Sequence, residues 1–135
     1  VSPRTFPLSG SDTPFHSASH HQQRSSMIED FAKINKYHVN ILTYFLDKLQ
    51  NTPDGDGNLL DHSLVLYGSA MGDSHVHAHK MVPAVIAGHA SGTVKGNLHV
   101  KAESGTQQAN LLLAIMQKLG VDLTEVGNST GTISI

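Results

Sequence analysis

Apolar side chains recur at spacings of three and four from Phe31 through Ile34, His38, Ile41 and Phe45 to Leu49, the period of a helix with one buried face. Ser26 followed three residues later by Glu29 is a capping-box pattern, so a helix is predicted over 26–50. A helix of that length carries an apolar stripe that another element must cover. His38 lies inside the stripe and reads as a core histidine satisfied by a neighbour such as Asn35.

The cover has to come from two short runs. Leu64-Val65-Leu66-Tyr67, ended by Gly68, is continuously apolar, and Val82 to Ala87 reads in the same way. Uninterrupted apolar runs suit strands buried on both faces, as in a parallel sheet. The segment between them, Gly68 to Met81, is long enough for a crossover but not for a full helix, and is predicted as a loop at the carboxyl end of a strand. Asn51 to Asn58 holds one Pro and two Gly and breaks the long helix. Its Asp54, Asp56 and Asn58 have the spacing that opens a calcium loop. Leu59 stands where that loop needs Gly, however, and Val65 where it needs Glu, so the segment reads as a turn, with weak calcium binding as the lesser alternative.

Thr93 to Lys101 is predicted as a hairpin or extended arm through Gly96-Asn97. Thr106 is predicted to cap a helix over 106–119 with Leu112, Ile115 and Leu119 on one face. Residues 1–13 read as an extended N-terminal segment and 14–135 as the C-terminal part of one α/β domain. The chain opens on Val1 and has neither the basic start nor the apolar centre of a signal peptide, so it reads as a processed product or a piece of something longer. Two strands and two helices cannot cover both faces of a sheet. An upstream part of the same protein, or another chain, is therefore expected to complete it.

Composition narrows the function. The net charge of −2 supplies no basic stripe, which argues against nucleic acid as a partner. No apolar run approaches the about 20 residues of a membrane span, so no transmembrane segment is expected. There is no Cys, so a metal would have to be held by imidazole, carboxylate or backbone oxygen. The anomaly is 10 His against 9 Lys and Arg.

Six of these histidines form two groups. His16, His20 and His21 lie in Pro14 to Ser25, which has no helical or strand period and reads as a loop able to turn imidazoles toward one ion. His75, His77 and His79 alternate. In an extended segment three rings at that spacing share one side, with Asp73 as an oxygen ligand or supporting partner. Hydrogen bonding of these rings to backbone or water is the plainer alternative. His62, His89 and His99 carry no assignment. Gly68-Ser69-Ala70-Met71-Gly72 fails as a nucleophile elbow, since Tyr67 stands two residues before Ser69, and fails as a phosphate loop because no Lys follows. Asn128-Ser129-Thr130 matches a glycosylation site by composition alone.

Taken together, several of these segments resemble a bacterial exported family called domain of unknown function 1552. They are Phe15-His16 with Ser19-His20-His21, Ala32 to Val39, Tyr44 to Leu49, Thr52 to Gly57, Leu59 to Ser69, His75 to His79, Pro83 to Gly88, Lys95-Gly96, Ala109 to Leu113 and Gly127 to Gly131. The resemblance covers the chain from about Phe15 onward. It implies the C-terminal part of a longer protein in a periplasmic or secreted location, with no activity attached.

A more distant likeness is to sulfatases and alkaline-phosphatase-like enzymes, through Leu59 to Gly72 and through His16-x-x-x-His20. It implies an α/β fold, the C-terminal portion of an alkaline-phosphatase-like sheet sandwiched by helices. It also implies a hydrolase of phosphate or sulfate esters using a divalent metal such as zinc. Ala70-Met71 replaces the metal-binding Asp-His of those enzymes and His16 replaces their Asp, so a site would have to use His16, His20, His21, Asp73, His75, His77 and His79. The departure equally suits a non-catalytic binding or assembly module of the cell envelope that keeps the fold.

Overall fold

The computed structural model describes residues 3–135. It divides into two compact units, Val1–Lys48 with Tyr67–Ala84, and Leu49–Leu66 with Val85–Ile135. Helices and short strands are both present, so the chain is of mixed α and β content.

The first unit is built on α1 (Phe15–Ser19) and α2 (Ser25–Gln50). The period of the long helix is borne out, with Ile34 fully buried in its stripe. Its start differs from the capping-box reading, because the helix already includes Ser25 and places Ser26 inside the first turn. Further along the stripe Ile41 and Phe45 remain exposed, and with His38, Leu42 and Tyr67 they line an open apolar cleft of about 320 Å³.

The middle of the stripe is covered by the segment before α1, whose residues Val1 and Ser2 lie outside the described residues, and Phe15 of α1 sets its ring against Phe31 and His38. Within the stretch read as extended, Pro7–Ser9 forms a tight helical turn and Phe6 bridges Ser11. Phe6 thereby sets its ring against Phe15, Tyr37 and His38, with the His38 ring edge-on at 4.6 Å. His38 is half-buried among aromatic rings, which are its packing neighbours in place of the Asn35 contact expected from sequence.

The second unit contains the hairpin β1 (Pro53–Asp54) and β2 (Gly57–Asn58), then α3 (Leu59–His62) and α4 (Gln108–Lys118). The predicted turn at Asn51–Asn58 is thus a small antiparallel ladder, Pro53 facing Asn58 and Asp54 facing Gly57. Asn58 closes it into α3 with a reciprocal cap: its side chain accepts from the Leu60 and Asp61 N–H groups, and Asp61 accepts from the Asn58 N–H. Leu113, Ala114 and Ile115 of α4 are buried, as are Ala90 and Val94. The helix begins later than predicted, at Gln108, and Gln107 rather than Thr106 occupies the capping position without a side-chain bond.

Strands β3 (Val65–Gly68) and β4 (Ala84–Ala87) pair as a two-stranded sheet. The parallel pairing expected from their apolar runs is corrected. At one end Ser69 N–H donates to Pro83 O at 3.3 Å, and at the other Ala90 N–H donates to Ser63 O at 3.0 Å, so the strands run antiparallel. The reason lies in the connection. A parallel pair needs a crossover, whereas residues 69–83 form turns without a helix and hand the chain straight back. The arm predicted over Thr93–Lys101 is also absent as a hairpin: Gly96 and Asn97 both have positive φ, but no strand flanks them. Among the described residues no helix is long and apolar enough to cross a membrane.

Candidate functional site

Both histidine groups belong to the first unit, and there they converge. Residues 14–21 are not a loop throughout, as the sequence suggested. Pro14 leads into α1, where its carbonyl accepts from Ala18 N–H, so His16 sits on a helical turn and His20 is that turn's C-cap. Residues four apart in such a turn share a face. The His16 and His20 rings accordingly stand edge to face at 4.7 Å.

The second group does not run extended. Asp73 bridges Ala78, His77 has φ of +53°, and Asp73 Oδ1 accepts from His75 N–H at 2.9 Å, which together fold 73–78 into a tight loop. Gly72 lets this loop close against its own base, since a Cβ there would collide with the Lys80 carbonyl. The expectation of three imidazoles on one side is therefore corrected. His75 and His77 turn toward the first group, whereas exposed His79 donates Nδ1–H to Ala70 O at 3.0 Å.

Two polar contacts pin the loop to the end of α1. Ser74 Oγ donates to Ser19 O at 2.9 Å, and His20 Nδ1 donates to His75 O at 3.3 Å. The resulting ring pairs are His20 with His77 at 4.8 Å, His21 with His75 at 5.1 Å and His20 with His75 at 6.4 Å. Two imidazoles bound to one tetrahedral ion through nitrogens about 2 Å from it have ring centres about 5 Å apart, so the closest pairs have the right spacing.

Hydrogen bonds sort the rings further. A carbonyl can only accept, so the proton of neutral His20 is on Nδ1 and its Nε2 keeps a lone pair. His21 has the opposite tautomer, its Nδ1 accepting from Gln23 N–H at 3.2 Å, which makes Nε2–H a donor. His75 Nδ1 is buried with no hydrogen-bond partner. An orphaned buried nitrogen beside other imidazoles is the kind of atom a cation would satisfy. Asp73 is committed to the His75 backbone and acts as a support of the loop. Among the described residues no three His, Asp or Glu side chains stand in ready coordinating geometry.

A further titratable cluster escaped the sequence reading. In the second unit His62 Nδ1 lies 2.9 Å from Asp54 Oδ2 and Nε2 lies 3.2 Å from Asp56 Oδ1. The hydrogen bond to Asp54, followed by the charges of Asp54 and Asp56, raises the His62 pKa above the ordinary histidine value against the opposing effect of burial. Its signal was the pairing of Asp-x-Asp with a His shortly after a helix start, which becomes readable only once Asp54–Gly57 is recognised as a hairpin that α3 folds back upon.

The chain matches no protein-family model, no curated protein and no solved structure.

Proposed function

We propose that the first unit binds a divalent transition metal such as zinc through His20 and His77, with His16 and His75 completing the set. The observation that carries this reading is the meeting of imidazoles from two distant segments, held by the Ser74 and His20 bonds to backbone carbonyls. Imidazole nitrogen is the donor that zinc, copper and nickel favour over the hard oxygen-seeking cations. His16 and His77 are both exposed, so neither ring is enclosed by packing.

The hydrolase reading follows from the resemblance to alkaline-phosphatase-like proteins. When bound, such an ion supplies Lewis-acid polarisation of a phosphate or sulfate ester oxygen. His21 Nε2–H is available beside the set as a donor to the ester. In this reading the chain is the C-terminal portion of an exported α/β protein, and strands from its upstream part or another chain extend the β3–β4 pair, on which Leu66 and Val85 are exposed. The second reading, a non-catalytic envelope module, is favoured by Ala70-Met71, which offer no metal ligand.

The test is zinc titration of the full chain by calorimetry, followed by assay with aryl phosphate and aryl sulfate esters. Stoichiometric binding lost in H20A and H77A, with zinc-dependent ester cleavage, supports the hydrolase. Binding without cleavage removes the hydrolase and keeps the metal site, whereas absence of binding removes the metal site and leaves the module, whose histidines are structural.

A further inference from the structure

The hairpin of the second unit carries a group that the metal site does not use. His62 closes α3, and its ring lies over the turn of the β1–β2 hairpin, where a Cβ on Gly55 would sit 3.8 Å from His62 Cε1. Each ring nitrogen faces a different carboxylate: Nδ1 faces Asp54 on β1 at 2.9 Å, and Nε2 faces Asp56 in the turn at 3.2 Å. A carboxylate at neutral pH only accepts, and a neutral imidazole has one N–H. Both contacts are satisfied together only by the imidazolium. With the proton gone, one nitrogen would direct a lone pair at a carboxylate oxygen.

We propose that His62 is a proton-operated clasp, its imidazolium holding the hairpin turn closed and its deprotonation releasing Asp56 while Nδ1–H keeps Asp54. Asp56 is the side that opens because its contact is the longer and its side chain is 98% exposed, so water replaces the imidazole at once. Asp54 is 46% exposed and anchored in the ladder opposite Gly57.

The charged groups facing the ring are Asp54 from β1 and Asp56 from the turn; Asp61 precedes His62 on α3 and is turned to Asn58. Asp61 is held by Asn58 N–H in the reciprocal cap and stays in place when the clasp opens. Asp54 and Asp56 are both acidic, and each favours the protonated ring. The raised pKa of His62 agrees in direction. The clasp is therefore closed below the ordinary histidine value and opens as pH rises through the higher value of the folded chain.

The experiment is an NMR titration of the full chain from acid to mildly alkaline pH, following the His62 ring and the Gly55, Asp56 and Gly57 amides. The expected result is a His62 midpoint above that of an unperturbed histidine, with the three amides shifting at the same midpoint. D56N should lower the midpoint and uncouple the amides, and D54N should lower it further. Since the Asp56 side chain is almost wholly in solvent, D56N keeps the test open even where D54N fails to fold. A wild-type midpoint at or below the ordinary value, or turn amides with no inflection there, overturns the proposal.

Discussion

The rings of His20 and His77 meet edge to face at 4.8 Å although one caps a helical turn and the other lies in a strained loop. The Nδ1–H of His20 is spent on the His75 carbonyl, which leaves Nε2 free. That arrangement predicts a graded response to substitution. H20A and H77A should each weaken zinc binding by about tenfold or more, the range over which even outer partners of a metal site act. H79A should leave binding near wild type, because that ring is turned to Ala70. Calorimetric titration of the three variants checks the order.

Gly72 touches no imidazole, yet it governs two. Its amide donates to Ala78 O at 3.0 Å, and any side chain there would strike the Lys80 and Met81 carbonyls. G72A should therefore displace the loop that carries His75 and His77 and weaken zinc binding as much as loss of a ligand does. The measurement is the same titration, paired with circular dichroism to show that α2 persists.

What the sequence could and could not disclose follows from the range of the forces involved. The α2 period is local and repeats along the helix, so Phe31 to Leu49 disclosed it without knowledge of the partner. The direction of β4 relative to β3 depends on how 69–83 turns, and an apolar run in either direction looks alike. The two histidine groups were legible as composition. The turning away of His79 was not, since it depends on the positive φ of His77 and on a carbonyl at Ala70 that no spacing rule supplies. His62 is not legible as a site in the sequence because its carboxylates precede it across a hairpin whose residues read as a simple turn.

Thr13 and Asp30 give the first unit an acid-sensitive tie. Thr13 Oγ1 donates to Asp30 Oδ2 at 2.6 Å, and this bond chiefly holds the Asp30 carboxyl below the usual carboxylate range, with Ser11 and Lys33 adding to it and burial opposing. A carboxylate whose folded pKa is lowered stabilises the fold above its unfolded value, and that contribution is lost as pH falls through the folded value. T13V should bring the Asp30 pKa up and flatten the loss of stability below about pH 4. Asp30 carboxyl chemical shifts and denaturation across the acid range provide the check.

Adjacent leucines in α4 offer an internal comparison of core and surface. Leu113 is 1% exposed and Leu112 is 40% exposed, so they share propensity and differ in burial. L113A should cost about 2–5 kcal/mol, the transfer of the side chain plus the cavity left behind. L112A should cost about 1 kcal/mol or less, since much of that side chain already meets water. Urea denaturation of both variants separates the two effects.

Asn110 ties the C-terminal tail to α4 from a buried position. Its Oδ1 accepts from Thr130 N–H at 2.9 Å and its Nδ2 donates to Thr130 Oγ1 at 3.3 Å, while Asn128 Nδ2 donates to Gln107 Oε1 at 2.6 Å. The tail has no apolar period of its own, so these polar contacts and not a buried stripe fix its course. N110A leaves the Thr130 amide without its acceptor; because Thr130 is exposed, water can replace it, and the loss should be the net worth of the bond, about 0.5–1.5 kcal/mol. N110D keeps the acceptor and loses only the weaker donor bond, so it should fall between N110A and wild type. Hydrogen exchange at Thr130 should accelerate in N110A ahead of the α4 amides. Equal acceleration along α4 would instead mean that Asn110 supports the helix and not the tail.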